Sequence, residues 1–112
     1  MQVEISGRTV ERDDDGYLVD PSDWSEEVAE ALALEAGLSF TDEHRRIIGF
    51  MRHYLEEHGI APDARFVVKY LANDMGLGSA ARNELFRLFP YGYMQQACKI
   101  AGLRRPRTWS TG

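Results

Sequence analysis

One C-terminal stretch organises the chain: Leu88-Phe89-Pro90-Tyr91-Gly92-Tyr93-Met94-Gln95-Gln96-Ala97-Cys98-Lys99-Ile100-Ala101-Gly102-Leu103. It opens with a break, because a proline disfavours helix at the residue before it. It then predicts a short helix from about Tyr93 to Ala101 that ends at Gly102. The stretch holds Cys98, the one cysteine of the sequence. We expect the residues before it to form a compact platform that presents this segment.

The composition is that of one ordinary globular domain. The 112 residues are 44% apolar and 28% charged, a composition that is typical of a folded protein and not of a disordered chain. A domain of this size can bury a single core without a metal or a disulfide, and a single cysteine excludes an internal disulfide framework. No apolar run approaches the roughly 18 residues of a membrane span, and the first residues lack a secretory signal. The sequence therefore predicts a cytoplasmic protein.

The charge is unevenly distributed. Residues 1–84 hold all 18 acidic residues and 8 of the 13 basic residues, which gives this part a net charge of −10. Residues 85–112 hold no acid and the other five basic residues, which are Arg87, Lys99, Arg104, Arg105 and Arg107. The first part is expected to repel nucleic acid and other polyanions, whereas the C-terminal part is expected to attract them.

The N-terminal residues 2–19 predict a β-hairpin and a further extended segment. Val3 and Ile5 alternate with polar neighbours, and Ser6-Gly7 supplies a tight turn because glycine adopts positive φ without a steric penalty. A second turn is predicted at Asp13-Asp14-Asp15-Gly16. Its aspartates are consecutive and lack the glutamate that closes a calcium-binding loop, so we predict no metal site there.

About five helices are predicted for residues 22–103, which makes the fold class α+β and mostly α-helical. Their boundaries follow from capping residues, from proline and glycine, and from apolar positions at helical spacing. The first helix is predicted to be capped by Ser22 or Asp23, to bury Trp24 and to end at Gly37, and the second to be capped by Ser39 or Thr41 and to end at Gly59. The third is predicted to have Pro62 in its first turn. The fourth is predicted to run from Ala80 to about Phe89, with Ser79 as its cap. Residues 1–103 are thus predicted to form one domain, followed by a basic, mobile arm at residues 104–112.

The spacing around Cys98 leaves two interpretations open. A free cysteine is often a small buried apolar residue. Alternatively, Lys99 and the nearby arginines would lower the pKa of the thiol and stabilise a reactive thiolate, if the sulfur is exposed. The three histidines, His44, His53 and His58, do not have the spacing of a zinc site. No hydrolase, kinase or oxidoreductase motif occurs, so the sequence predicts neither an enzyme nor a bound metal or cofactor.

The third and fourth predicted helices, joined by Gly76-Leu77-Gly78-Ser79, are similar to a helix-turn-helix pair. In that interpretation the fourth helix would read base edges with its polar side chains. These candidates are Ser79, Arg82, Asn83 and Arg87. The net negative charge of residues 1–84 argues against DNA binding, which stands as the alternative hypothesis.

A larger set of residues resembles the C-terminal signature of one family, the DsrC/TusE sulfur-relay proteins. The matching residues are Leu88-Phe89-Pro90-Tyr91-Gly92, Gln96-Ala97-Cys98-Lys99-Ile100-Ala101-Gly102-Leu103 and Pro106. Shorter segments upstream fall in the order and spacing expected of that family, and they are Asp15-Gly16-Tyr17-Leu18, Trp24-Ser25-Glu26, Glu43-His44 and Gly59-Ile60-Ala61-Pro62. The resemblance therefore covers nearly the whole chain.

This resemblance implies an N-terminal β-hairpin on a helical, helix-turn-helix-like body with a flexible C-terminal arm. It also implies sulfur carriage as a cysteine persulfide or trisulfide, with dissimilatory sulfite reductase or the relay for tRNA 2-thiouridine as partner. The key carrier in such proteins is a penultimate cysteine on the arm, and Cys98 matches a second, upstream cysteine of the DsrC branch. Eleven residues after Cys98 this chain has Trp109 instead of a cysteine.

The leading hypothesis is a non-enzymatic, monomeric accessory or regulatory protein of sulfur metabolism. Cys98 is its sole candidate sulfur acceptor, because a sulfane sulfur needs a thiol to sit on. The arm is predicted to dock on protein partners, with an aromatic anchor and basic residues that guide the encounter. These docking candidates are Arg104, Arg105, Arg107 and Trp109.

Overall fold

The structure, a computed structural model, describes residues 1–5 and 7–104, with the backbone alone for Met94. It begins with an antiparallel hairpin of β1 (Gln2–Ile5) and β2 (Arg8–Glu11), in which Val3 is paired with Val10. Gly7 takes a φ of +80° in the connection, as the turn prediction required. Val10 is buried, so one side of the hairpin packs on the helical part of the chain.

The described residues contain five α-helices. They are α1 (Glu26–Glu35), α2 (Asp42–His58), α3 (Ala64–Asn73), α4 (Ala81–Leu88) and α5 (Cys98–Ile100). Helix α3 packs against both α2 and α4, and α5 packs against α1. Buried apolar side chains from the hairpin and all five helices form one core. The predicted α+β, mostly helical fold is therefore confirmed.

An ion pair between the buried Arg12 and the exposed Glu35 joins the end of the hairpin to the end of α1. Arg12 follows β2, and its guanidinium donates two hydrogen bonds to the Glu35 carboxylate, at 2.8 and 3.0 Å. Its Nε donates a third, at 2.9 Å, to the carbonyl of Gly16. Arg12 is buried, and these bonds account for its burial, because an unpaired buried guanidinium would be costly. The loop after β2 thereby has a fixed position relative to α1.

The predicted start of the first helix was wrong. Asp20 caps a 3₁₀ turn at Pro21–Asp23, so Ser22 and Asp23 lie inside that turn and do not cap α1. Trp24 follows in extended backbone, outside the helix, and Ser25 is the true cap, since its hydroxyl accepts a hydrogen bond from the Val28 N–H. The sequence contains two overlapping capping signals here, and the chain uses Asp20 for the 3₁₀ turn and Ser25 for α1.

The predicted starts of the third and fourth helices also needed correction. Asp63 caps α3, so Pro62 precedes the helix instead of lying in its first turn. Ser79 lies in a 3₁₀ turn at Gly78–Ala80, and α4 begins after it without a side-chain cap. By contrast, Thr41 caps α2 as one of the two predicted alternatives, and Gly59 ends α2 in the left-handed conformation, with a φ of +73°.

His44 connects the start of α2 to the end of α4. Its Nδ1 accepts a hydrogen bond from the Thr41 N–H at 3.1 Å, and its Nε2 donates to the Leu88 carbonyl at 2.9 Å. These partners assign the neutral tautomer with the proton on Nε2. The ring is buried and meets Phe89 edge-on, with 5.2 Å between the ring centroids. His44 thus fixes the point at which the chain leaves α4.

Within residues 1–5 and 7–104, no helix combines the length and the apolar character that crossing a membrane requires.

The cap assignment of α1 can be tested by comparing two serines. Ser25→Ala is expected to lower the free energy of unfolding by about 1 kcal/mol, because the Val28 N–H loses its acceptor. Ser22→Ala is expected to change it by less than about 0.5 kcal/mol, since the Ser22 hydroxyl makes an exposed bond to Asp20. Urea unfolding of both variants measures this. The reverse order of the two effects would restore the original cap prediction.

Candidate functional site

The candidate site is the helical run that contains Cys98. A π-helical turn at Tyr93–Ala97 continues directly into α5, so the predicted fifth helix is confirmed but begins with a wider turn. Gly92 precedes it with a φ of +104°, a conformation that favours glycine. A π turn is uncommon in proteins and is found often at functional sites. Here it places Tyr93 one π turn before Cys98, on the same side of the helix.

Cys98 is completely enclosed, with 0% of its surface exposed. Burial raises the pKa of its thiol to about 12, and a hydrogen bond with the Tyr93 side chain opposes this only in part. The sulfur is not exposed, so the condition for a thiolate stabilised by basic neighbours is not met. The thiol is neutral at pH 7, and the stability that this provides is present below the ordinary value of 9.0 and lost as the pH rises toward 12.

Lys99 interacts with residues other than Cys98. Although it follows Cys98 in sequence, its Nζ lies 5.2 Å from the centroid of the Tyr17 ring, in the loop after the hairpin. The lysine charge also helps to lower the pKa of Glu35, after the larger effect of the hydrogen bond from Arg12. Successive residues of a helix point about 100° apart, so sequence adjacency did not place this charge beside the sulfur.

Tyr93 fastens the first turn of this run to the loop before α3. Its hydroxyl donates a 2.6 Å hydrogen bond to the carbonyl of Pro62, and the residue is fully buried. Burial is the main cause that raises the pKa of the phenol well above its ordinary value. A buried tyrosine hydroxyl needs such a partner, so the ring fills the core and the bond fixes its depth. Together these contacts fix the position of Tyr93, whose side chain interacts with the Cys98 thiol.

Trp24 and Arg52 hold the other end of the run. The Trp24 indole N–H donates to the carbonyl of Ile100 at 2.9 Å, and Arg52 donates to the carbonyl of Ala101 at 3.1 Å. The Arg52 guanidinium also lies over the Trp24 ring, 4.6 Å from its centroid. The last carbonyls of a helix have no hydrogen-bond donors within the helix, and the side chains of Trp24 and Arg52 are the donors here. Cys98 therefore lies in a segment that is anchored at both ends.

Gly102 allows Trp24 to come this close. It takes a φ of +70°, and a Cβ built on it would lie 2.6 Å from Cδ1 of Trp24. No residue with a side chain fits that space without movement of the indole. From the sequence, Gly102 was expected only to end the helix; in the structure it also makes this close contact with Trp24.

Of the four predicted docking residues, Arg104 alone is among the described residues. It is exposed, and its Nε donates to the carbonyl of Val19 at 3.2 Å. Arg105, Arg107 and Trp109 lie outside the described residues.

The four DNA-binding candidates, Ser79, Arg82, Asn83 and Arg87, are all exposed. Arg87, however, donates to Glu84 at 2.5 Å and reaches Glu43 at 3.3 Å. The hydrogen bond from Arg87 is the main cause that lowers the pKa of Glu84 to about 2. A DNA phosphate would have to compete with these carboxylates, so the local charge does not favour this surface for DNA. DNA binding stays an untested prediction.

Sequence reasoning missed Arg52 and Tyr93 as parts of the site and misplaced Trp24. Tyrosine and tryptophan in a core bring one polar group each, and that group needs a partner. This signal was available, but the partners are backbone carbonyls distant in sequence, which no local pattern identifies. Across the described part of the chain, no three histidine, cysteine, aspartate or glutamate side chains lie together as metal ligands.

Comparison with known proteins gives one family. The family model described as DsrC like protein matches residues 4–109. Sulfurtransferase TusE of Escherichia coli (strain K12) is 40% identical over 102 residues, which are 91% of this chain and 94% of that protein.

Two solved structures share the fold. The NMR structure of Allochromatium vinosum DsrC has a TM-score of 0.85 and 38% identity, and the match covers 97% of both chains. The crystal structure of the oxidized gamma-subunit of the dissimilatory sulfite reductase (DsrC) from Archaeoglobus fulgidus has a TM-score of 0.83 and 34% identity. That match covers 98% of this chain and 100% of the other. The resemblance stated from the sequence is confirmed.

The contact between Gly102 and Trp24 predicts a large effect of one methyl group. Gly102→Ala is expected to destabilise the fold through positive φ, by about 1–2 kcal/mol, and through the clash, by about 1–3 kcal/mol more. Gly37→Ala is the matched control, because Gly37 has a φ of +77° and no atom within 4 Å of the added carbon. Thermal unfolding of both variants measures the difference. Equal losses of stability would contradict the anchoring of α5 by Trp24.

Proposed function

Because the chain belongs to the DsrC-like protein family, we propose that it is a non-enzymatic accessory or regulatory protein of sulfur metabolism. It binds protein partners of the kind that its relatives serve. The relatives are named as a sulfurtransferase and as the gamma-subunit of a dissimilatory sulfite reductase. A role among proteins that handle sulfur is the common part of both names.

One observation carries the proposal: the single cysteine of the sequence is sealed in the core. Sulfur relay requires a thiolate that attacks the outer sulfur of a donor persulfide. A new bond then forms between the two sulfurs, the donor S–S bond breaks, and the donor leaves as a thiolate. The neutral, enclosed Cys98 thiol supports no such attack in the free protein, and residues 99–112 contain no second thiol. Binding without carriage is the function that this arrangement favours.

Cys98 remains the sole candidate sulfur acceptor of the chain. For it to accept sulfur, the run from Tyr93 to Ile100 would have to separate from the core, and the bonds to Pro62, Trp24 and Arg52 would have to break. We therefore infer that any sulfur loading of Cys98 requires a partner that opens this segment. In the closed state described here, the residue acts as part of the core.

The docking arm is the second part of the proposal. Residues 85–112 carry five basic residues and no acid, and Trp109 lies where the family resemblance places a cysteine. A tryptophan is an effective anchor at protein interfaces, and arginines increase the rate of encounter with an acidic surface. In place of a sulfur-bearing end, the arm thus presents an apolar anchor to the partner.

The test is a binding measurement with purified dissimilatory sulfite reductase and, separately, with purified sulfur-relay proteins. The wild-type chain is expected to bind one of these partners, and Trp109→Ala is expected to raise the Kd by about tenfold or more, as for an interface anchor. Trp109→Phe should retain most of the affinity, and Cys98→Ala should bind like wild type.

Three results would contradict the proposal. The first is a Trp109→Ala variant that binds every such partner as tightly as wild type, and the second is a wild-type chain that binds none of them. The third is a sulfane adduct on the free, native chain. Intact mass after treatment with inorganic polysulfide detects that adduct, and Cys98→Ala is the control that identifies its position.

A further inference from the structure

Gly49 is an exception among the glycines of the described residues. Each of the others takes a positive φ, which explains why a glycine occupies that position. Gly49 lies inside α2 instead, where glycine destabilises a helix relative to alanine. A Cβ built on it has no atom within 4 Å, so packing against the described residues does not require a glycine either. The chain thus carries a helix-destabilising residue for which its own described structure supplies no reason.

Gly49 borders a small cleft between α1 and α2. The cleft has a volume of about 40 Å³. Its apolar lining comes from both helices and from the segments before them, and it consists of Trp24, Ala29, Phe40, Ile48 and Gly49. Ala29 and Ile48 are buried, whereas Gly49 is exposed. Gly49 therefore lies at the mouth of the cleft, and the side chain that it lacks leaves this mouth open.

The volume of the cleft decides which class of ligand can enter. A water molecule needs about 10–15 Å³ of cavity, whereas pockets for cofactors and drug-sized ligands measure about 300–1,000 Å³. This cleft therefore holds only a few atoms, such as the end of one short apolar side chain. Side chains that contribute strongly to affinity at protein interfaces sit in desolvated pockets of this kind. The dimensions thus favour a side chain of another protein over a small molecule.

The rim of the cleft is acidic. Arg45 lies on this rim, and three carboxylates surround its guanidinium: Glu30 at 3.1 Å, Glu26 at 3.6 Å and Asp42 at 3.8 Å. One positive and three negative charges leave this cluster with a net charge of −2. The three acidic residues are exposed, so the excess negative charge faces solvent. A basic residue beside the entering side chain complements this charge.

The cleft also adjoins the anchor of α5. Trp24 forms part of its wall, and the indole N–H of the same residue donates to the Ile100 carbonyl. Arg52 lies over the same ring. A side chain that enters the cleft therefore contacts the tryptophan that holds the run containing Cys98.

We propose that this cleft receives a short apolar side chain of the protein partner, next to a lysine or arginine that pairs with the acidic rim. The absence of a side chain at Gly49 allows the partner to approach the backbone of α2 closely. The cleft is distinct from the C-terminal arm, so the partner contacts this chain at two places. This inference rests on the proposed function, because it assigns a second contact to the same partner.

The test uses the full chain and the same purified partners, dissimilatory sulfite reductase and sulfur-relay proteins. Gly49→Ala and Gly49→Gln are expected to raise the Tm of the free protein by about 2–6 °C, because both new residues favour a helix over glycine. Gly49→Ala is expected to raise the Kd several-fold and Gly49→Gln by about tenfold or more, because the larger side chain closes more of the mouth. Higher stability together with weaker binding separates a lost contact from a damaged fold.

The acidic rim is tested with Glu26→Gln, which is expected to raise the Kd several-fold at low salt. At about 1 M salt the Debye length falls to about 3 Å, so the difference from wild type should largely disappear. Glu56→Gln is the matched control, because it makes the same change at an exposed residue of α2 that does not line the cleft. It is expected to bind like wild type.

Four results would overturn this inference alone. They are a Gly49→Gln chain that binds as tightly as wild type; a Glu26→Gln chain that does so at low salt; equal weakening by Glu26→Gln and Glu56→Gln; and a lower Tm for Gly49→Ala, which would show that the fold itself requires the glycine. A wild-type chain that binds none of the partners would overturn the proposed function and this inference with it. The Trp109→Ala measurement tests the arm separately, so the two contacts can fail independently.

Discussion

The hydrogen bond from the Trp24 indole to the Ile100 carbonyl is the contact on which the C-terminal part of the structure depends. It joins residues that are 76 positions apart in the sequence and places the tryptophan against Gly102. Any side chain at residue 102 would occupy the space that the indole fills. Arg52 covers the same ring and binds the next carbonyl. A three-residue helix has little stability of its own. These contacts from α2 and from the segment before α1 hold it in the core.

This anchoring has a direct chemical consequence for Cys98. With Tyr93 tied to Pro62 on one side and Trp24 tied to Ile100 on the other, the sulfur has no path to solvent in the closed state. Desolvation then keeps the thiol protonated at physiological pH. A family scaffold that is associated with sulfur handling thus holds its single thiol in an unreactive form. The proposed binding role depends on this enclosure, because sulfur transfer needs an accessible thiolate.

Much of this could be predicted from the sequence, and the failures have identifiable causes. The hairpin, the number of helices and the family followed from alternation, glycine positions and the block around Leu88 to Leu103. The start of α1 was misplaced because Ser22, Asp23 and Ser25 offer competing caps, and only packing selects between them. The spacing around Cys98 left open whether the residue is buried and apolar or is an exposed thiolate stabilised by Lys99 and the nearby arginines. In the structure Lys99 extends to Tyr17, and burial decides the pKa.

The central claim is that Cys98 is sealed and neutral in the folded protein. The most direct measurement is the ¹³Cβ chemical shift of Cys98, followed by NMR as the pH is raised under native conditions. The account predicts no titration of the thiol up to at least pH 10, in line with a pKa of about 12. A titration midpoint at or below the ordinary value of 9.0 would contradict it, because it would require a solvated or charge-stabilised sulfur.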